Sequence, residues 1–180
     1  QSPVGGGPGR PPGVAGQHMI KQTHTTRACD GLYVYNQFSE DFDKALSVTA
    51  TWVIRDFHSP NLIWLAGREG IARVGMIDFQ DALLGPPAYD VVSLAQDARV
   101  DVSEALEIAL VSRYVRGRKT DDPSFDPAAF AESYAMMSAQ RNTRLLGVFS
   151  RLNRRDGKPQ YLRHQPRLWA YLNRAPAHPS

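Results

Sequence analysis

The sequence predicts a mixed α+β domain in which short strands come first and helices follow. Two observations carry this prediction. Runs of β-branched, aromatic and aliphatic residues are concentrated between Thr49 and Asp78, and apolar residues recur at helical spacing from Pro87 onward. With 180 residues and 42% apolar content, the chain is long enough to bury one ordinary hydrophobic core.

The first part of the chain is predicted to have no role in this core. Residues 1–17 are so rich in Gly and Pro that they are expected to form a disordered leader. Residues 18–50 show only a short strand signal at 32–35 and one helical turn at 40–46, so their role is left open. The domain itself is predicted to cover residues 51–180.

Three strands are predicted next, at residues 51–54, 61–65 and 72–77, with a turn at Gly67 and Gly70. The first strand leads into a short loop that contains Asp56 and ends at Asn61. The third strand ends at Asp78. The strands therefore bring these three polar side chains to one edge.

Helices are predicted after Pro87. The first covers residues 87–98, with Asp90 in its first turn, and the second covers 103–116 and ends near Gly117. A long third helix runs from 127 to 156, and a short fourth helix covers 168–172. Arg141 falls on the apolar face of the long helix. A buried cation is costly unless it is paired, so we expect a carboxylate partner for it, in a structural ion pair.

Composition and charge restrict the class of protein. No segment is apolar enough to span a bilayer, and the first residues do not show the pattern of a signal peptide, so a cytoplasmic location is expected. The single Cys29 excludes an internal disulfide. The net charge of +3 is unevenly placed, because residues 141–174 hold nine basic side chains and one acidic one. This basic stretch is consistent with binding to phosphates, nucleic acid or an acidic protein, but such a stretch is more often the solvated face of helices.

The chemistry is indicated by Asp56, Asn61 and Asp78. Phosphoryl transfer needs a carboxylate near the acceptor hydroxyl and oxygen ligands that hold Mg²⁺ against the phosphates. Asp56 suits the first role, and Asn61 and Asp78 suit the second. Each residue alone is typical of an ordinary turn, but their joint spacing between apolar strands favours a site.

These motifs also resemble a known family. The runs RDFHSPN, IDFQDALLGPPAYD and SLAQDAR look like the C-terminal lobe of aminoglycoside phosphotransferase-like kinases, most of all the bacterial branch similar to the anomeric kinases of N-acetylmuramate and N-acetylglucosamine. The resemblance covers about residues 52–179. It implies a protein-kinase-like C-terminal lobe with a mainly helical bundle, Asp56 as catalytic base, Asn61 and Asp78 as Mg²⁺ ligands, and Asp90 as a brace for the catalytic loop.

The resemblance further implies ATP as co-substrate and a small hydroxyl-bearing acceptor, expected to be an amino sugar, while aminoglycosides, choline-like alcohols and homoserine-like substrates stay open. Further side chains near the motifs are candidate contacts to substrate or phosphate. They are His58, Gln80, Asp81, Asp97 and Arg99. For His58 a purely structural role in the loop is an equal alternative.

Such kinases also have an N-terminal lobe with a glycine-containing hairpin and a phosphate-binding lysine. Fifty-five residues precede Asp56, and neither Lys21 nor Lys44 lies in a strand of the Val-Ala-x-Lys type. The sequence therefore predicts a truncated kinase with the N-terminal lobe largely absent, which has little activity alone and needs the missing lobe. The alternative is a non-catalytic module that uses its basic C-terminal helices to bind an acidic protein or, less expected, nucleic acid.

Overall fold

A computed structural model describes residues 49–174 of the chain. The predictions for residues 1–17, for Cys29, and for the short strand and helical turn before residue 49 lie outside this part. The final residues, 175–180, lie outside it as well.

Within residues 49–174, four strands of three residues each pair as two antiparallel two-stranded sheets. They are β1 (Thr51–Val53), β2 (Leu62–Trp64), β3 (Val74–Met76) and β4 (Leu83–Gly85). β1 pairs with β4, which places Trp52 opposite Leu84, and β2 pairs with β3, which places Ile63 opposite Gly75. The three predicted strands are confirmed with shorter ends. β4 has no counterpart in the sequence prediction.

In the described part of the chain, four α-helices follow the strands. They are α1 (Ala88–Ala95), α2 (Glu104–Asp121), α3 (Pro127–Asp156) and α4 (Gln165–Arg174). The Ser103 hydroxyl caps α2 by accepting the N–H of Leu106, and the Asp126 carboxylate caps α3 by accepting two N–H groups of its first turn. α3 ends at Gly157, whose φ of 62° is the left-handed conformation that glycine adopts without strain. No helix within residues 49–174 combines the length and apolar character that a bilayer span requires.

The boundaries of three helices differ from the prediction. α1 ends at Ala95 rather than residue 98, and α4 is longer than the predicted 168–172. α2 continues through Gly117 to Asp121, because its last turn is anchored: the Lys119 ammonium donates to the carbonyl oxygens of Pro123 and Phe125 at 2.7 and 2.9 Å. A tertiary anchor here overrides the weak helix-stopping tendency of one glycine.

The core lies among the helices, in two clusters of buried apolar side chains. One cluster joins α1 to α3 through Ala88, Val92, Phe130 and Met137. The second joins α3 to α4 through Phe149, Leu168 and Tyr171, with Ala98 from the segment after α1. Both clusters involve α1 or the residues that follow it, so the packing of the long helix fixes the position of this segment.

A buried polar layer lies beside the core clusters. The amide oxygen of Gln96 accepts hydrogen bonds from the Ser138 hydroxyl at 2.8 Å and from the Asn142 amide at 2.7 Å. The amide nitrogen of Gln96 donates to the Glu107 carboxylate at 2.7 Å, which also accepts from the hydroxyl of Tyr134. This layer connects the end of α1 to α2 and α3.

The expected ion pair between Arg141 and a carboxylate is not found within residues 49–174. The side chain of Arg141 is buried, with 5% exposed, yet no carboxylate within residues 49–174 lies within 4.0 Å of it. The guanidinium donates to the Gln96 carbonyl at 3.5 Å instead. Burial lowers the pKa of Arg141, while the more distant charges of Asp97 and Asp56 act in the opposite direction. Long-range attraction, rather than an ion pair, offsets part of the cost of burial.

Candidate active site

The loop between β1 and β2 presents Asp56 and Asn61. The carbonyl oxygen of Asp56 accepts the N–H of His58 at 3.0 Å and the side-chain amide of Asn61 at 2.9 Å. Pro60 and Asn61 lie in a single turn of 3₁₀ helix, Ser59–Asn61, closed by a bond from the Asn61 N–H to the His58 carbonyl. These bonds fold the loop back on itself, and the carboxylate of Asp56 stays exposed.

Asp78 lies directly beside this loop. The amide nitrogen of Asn61 is 3.4 Å from Asp78 Oδ2, and the N–H of Ile77 donates to the Asn61 carbonyl at 3.1 Å. Asp78 has a φ of 62°, so the chain turns sharply at the end of β3. Gln80 donates to Asp78 Oδ1 at 2.6 Å and holds the carboxylate in place. The predicted meeting of Asn61 and Asp78 is therefore present in the structure.

The donor set fits a magnesium ion. Within residues 49–174 no three His, Cys, Asp or Glu side chains gather as a metal cluster. Asp78 offers a carboxylate, and Asn61 offers its amide oxygen, since its nitrogen is occupied by the Asp56 carbonyl. Mg²⁺ is commonly held by one or two protein oxygens, with phosphates and water completing the octahedron. The two side chains match that pattern.

Asp90, in the first turn of α1, supports the residues just before Asp56. Its carboxylate accepts the N–H of Ile54 at 2.6 Å and the N–H of Arg55 at 3.0 Å. Burial raises the pKa of Asp90, and the two N–H groups act in the opposite direction. Arg55 has a φ of 73°, an uncommon conformation for a residue with a side chain, and the bond to Asp90 helps to hold it.

Asp97 supports the other half of the loop. Its side chain is 0% exposed, and its two oxygens accept the N–H groups of Ser59 at 2.9 Å and Arg99 at 2.8 Å. The Tyr171 hydroxyl on α4 donates to the Asp97 carbonyl at 3.4 Å. The sequence alone placed Asp97 among candidate substrate contacts and missed this support, although a polar residue two turns after Asp90 was a signal for it.

His58 is also buried, with 7% exposed, inside the loop. Its Nε2 lies 3.0 Å from the Arg99 guanidinium. Since arginine only donates, Nε2 must be the acceptor and Nδ1 must carry the proton. Nδ1 is buried without a hydrogen-bond partner among the described residues. Burial, followed by the charge of Arg99, lowers the pKa of His58, which favours this neutral form.

The remaining candidates are on the surface. Asp81 is exposed and forms no hydrogen bond or ion pair within residues 49–174. Arg99 is exposed apart from its contact with His58. Both have side-chain atoms free to meet a ligand, whereas Gln80 is already bonded to Asp78.

An exposed carboxylate, an amide oxygen and a second carboxylate at adjoining strand ends are the groups that a phosphotransferase needs on its metal and acceptor side. A comparison with protein families agrees with this class. Residues 23–132 match the model of the phosphotransferase enzyme family (APH), and this match covers more than half of the chain. The chain therefore belongs to that family.

Curated relatives are similar over a comparable stretch. The chain is 50% identical over 119 residues to an N-acetylmuramate/N-acetylglucosamine kinase of Caulobacter vibrioides, which covers 66% of this chain and 32% of that protein. It is 41% identical over 133 residues to the enzyme of the same name from Neisseria meningitidis, covering 72% and 38%. A third such kinase, from Pseudomonas aeruginosa, is 36% identical over 137 residues. The chain thus spans about a third of the length of these relatives.

Proposed function

We propose that these residues form the metal and acceptor side of an ATP- and Mg²⁺-dependent sugar kinase with a protein-kinase-like C-terminal lobe. The reaction transfers the γ-phosphate of ATP to a hydroxyl group of an amino sugar. The observation that carries the proposal is the contact of Asn61 with both the Asp56 carbonyl and the Asp78 carboxylate. The names of the relatives, N-acetylmuramate/N-acetylglucosamine kinases, support the substrate class.

In this proposal Asp56 accepts the proton of the attacking sugar hydroxyl. Its exposed carboxylate is accessible to an acceptor, and its carbonyl fixes Asn61. Asn61 and Asp78 hold Mg²⁺ through side-chain oxygens. A bound magnesium ion supplies positive charge that neutralises and orients the phosphates during transfer. Gln80 orients the Asp78 carboxylate.

Two further carboxylates position the loop and do not touch the substrate in this proposal. Asp90 holds the backbone before Asp56, and Asp97 holds the backbone between Asp56 and Asn61. Asp97 is fully buried, and both its carboxylate oxygens accept backbone N–H groups. We therefore assign it a positioning role in place of the substrate contact that the sequence suggested. His58 belongs to the same support, while Asp81 and Arg99 remain candidates for sugar contacts.

The test is a chimera of the Caulobacter relative in which the 119 aligned residues are replaced by those of this chain. Phosphorylation of N-acetylglucosamine and N-acetylmuramate by ATP is then measured for the chimera and for its Asp56→Ala variant. Loss of a general base costs about 10²–10⁴-fold in turnover. We expect a fall of that size in kcat with a smaller change in KM.

Asp121→Asn is the matched control, because Asp121 is an exposed carboxylate at the end of α2, away from the loop. It is expected to leave turnover unchanged. If the chimera is active and Asp56→Ala retains its rate, the assignment of Asp56 is wrong. A second variant, Asp78→Asn, is expected to raise the Mg²⁺ concentration needed for half-maximal rate, which separates the metal role from the base role.

The alternative of a basic binding module gains no specific support. Two arginines of the basic stretch are tied to acids of the same chain: Arg167 pairs with Asp101, and Arg174 lies 3.2 Å from Glu107. Arg155 pairs with its neighbour Asp156 at 2.7 Å. The pairs of Arg167 and Arg174 join the last helix to the region before and within α2, so part of the positive charge stabilises helix packing.

A further inference from the structure

A cavity of about 360 Å³ lies between the β1–β4 sheet and α3. Arg55 and Arg144 both line it, together with Tyr89 and Gln140. Asp56, Asn61 and Asp78 are not part of its lining. It is therefore separate from the site proposed for phosphoryl transfer, although Arg55 is the residue next to Asp56.

The two arginines of this cavity have no acidic partner among the described residues. Within residues 49–174 no carboxylate lies within 4.0 Å of either guanidinium. Arg144 donates one hydrogen bond, to the Tyr89 hydroxyl at 3.0 Å, and Arg55 bonds to Asp90 only through its backbone N–H. A guanidinium has five N–H donors, so most of this donor capacity is unused. Arg55, in the loop after β1, and Arg144, on α3, bring two positive charges to the cavity, and a bound anion would be attracted by both.

Gln140 adds an acceptor on the α3 side of the cavity. It lies one helical turn before Arg144 on α3, so the two side chains share a face. Its amide oxygen is buried and has no hydrogen-bond partner within the described residues. A ligand with anionic oxygens would accept hydrogen bonds from the two arginines, and an O–H group on the same ligand would donate to the amide oxygen of Gln140. Hydrogen phosphate has both, and so does a hydroxylated carboxylic acid.

We propose that this cavity is a binding site for an oxyanion of the phosphate or carboxylate class. The planar fork of arginine binds both groups through two parallel hydrogen bonds. Occupancy would link Arg55, at the entrance of the loop, to α3 through the anion and thereby restrain the backbone before Asp56. Binding at this site does not depend on the proposed kinase activity.

The first experiment titrates inorganic phosphate into the full 180-residue chain by calorimetry, with ionic strength held constant by chloride. The variants are Arg144→Gln and Arg55→Gln. The matched control is Arg151→Gln, because Arg151 is exposed on the same helix, two turns after Arg144, and does not line the cavity. Each test variant loses charge-assisted hydrogen bonds to the phosphate, so its affinity for phosphate should fall by about tenfold or more. The control should bind like the parent.

The second arm identifies the source of the anion. N-acetylmuramate carries a carboxylate that N-acetylglucosamine lacks, so both sugars are titrated with and without phosphate. Binding of N-acetylmuramate that depends on Arg144 and is competed by phosphate would assign the site to a carboxylate of the substrate. Phosphate binding without competition by either sugar would assign it to free phosphate or a phosphorylated group.

Arg144 is exposed on a helix, so Arg144→Gln is expected to fold. If Arg55→Gln does not fold, Arg144→Gln alone tests the proposal. Circular dichroism melting of each variant checks this point. Absence of phosphate binding to the parent chain would overturn the proposal. Equal phosphate affinity in the parent, Arg144→Gln and Arg151→Gln would overturn it as well.

Discussion

The helical part of the protein and its strand part differ in where their apolar side chains lie. Phe149 of α3 is 1% exposed, whereas Phe79, just after Asp78, is 56% exposed. The same holds more widely, because both buried clusters consist of residues from Ala88 onward and the strand region exposes several large apolar side chains. Stability is therefore concentrated in the helices, and the candidate site lies on strands that the helices hold in place.

Two carboxylates connect the two parts, beside the contact between His58 and Arg99. Asp90 and Asp97 lie at the start of α1 and just after its end, and each accepts backbone N–H groups from a different half of the loop. The helical core can thus be rigid while the strands carry few buried contacts of their own. This division predicts unequal effects for similar substitutions.

The largest effect on stability is expected for Phe149→Ala. Removing a buried phenylalanine costs about 3–5 kcal/mol, because the transfer energy is lost and a cavity remains. Phe79→Ala is the matched control, since the same atoms are removed from an exposed position, and we expect a loss below about 1 kcal/mol. Urea unfolding followed by circular dichroism measures both. Equal losses would contradict the proposed division.

A smaller effect is expected for Asp97→Ala. The substitution leaves the N–H groups of Ser59 and Arg99 without their acceptor, and an unsatisfied buried donor costs about 1–3 kcal/mol. Hydrogen exchange provides a second readout. The Ser59 amide should lose protection while the amides inside α3 change only in proportion to global stability.

Asp81→Asn serves as the control for Asp97, because Asp81 is exposed and makes no hydrogen bond among the described residues. Its effect on unfolding is expected to stay within about 0.5 kcal/mol. If the Ser59 amide stays protected in Asp97→Ala, the carboxylate does not hold the loop.

A pH-dependent effect is expected at His58. Its pKa is lowered from the ordinary value of 6.5, first by burial and then by Arg99, with Arg141 acting in the same direction and Asp97 and Asp56 opposing. As the pH falls, His58 therefore binds a proton at a higher pH in the unfolded chain than in the folded chain. The contribution of His58 is fully present above pH 6.5 and is lost as the pH falls toward the folded pKa.

His58→Gln should accordingly reduce the loss of unfolding free energy as the pH falls below 6.5. The pKa of His164 is also lowered, mainly by burial, so His164→Gln is measured beside it to separate the two contributions. An unchanged pH slope in His58→Gln would show that this histidine titrates equally in the folded and unfolded chain.

Much of the fold follows from local sequence patterns. Asp126 followed by Pro127 marks the start of α3, and Gly157 marks its end, because caps depend on only a few neighbouring residues. β4 could not be predicted in the same way. Leu83 to Gly85 forms a strand only through pairing with β1, some thirty residues earlier, and such non-local pairing leaves little local signal.

The candidate site was predictable to a similar degree. The spacing of Asp56, Asn61 and Asp78 indicated their proximity, which the contacts of Asn61 show. The burial of Asp97 and the missing carboxylate at Arg141 depend on how α3 and α4 pack, and neither can be obtained from residue types alone. Sequence spacing therefore located the chemical groups, while tertiary packing determined which acids support them.

The smallest effect is expected for Ile71→Ser. Ile71 lies in the 3₁₀ turn before β3 and is 93% exposed, so replacing it with a polar residue removes almost no buried area. A change within about 0.5 kcal/mol in urea unfolding is expected. A loss near 2 kcal/mol would mean that another surface covers this apolar side chain in solution. In that case the strand region would be stabilised by a contact outside residues 49–174, and its exposure would mark an interface rather than a weakly packed part of the domain.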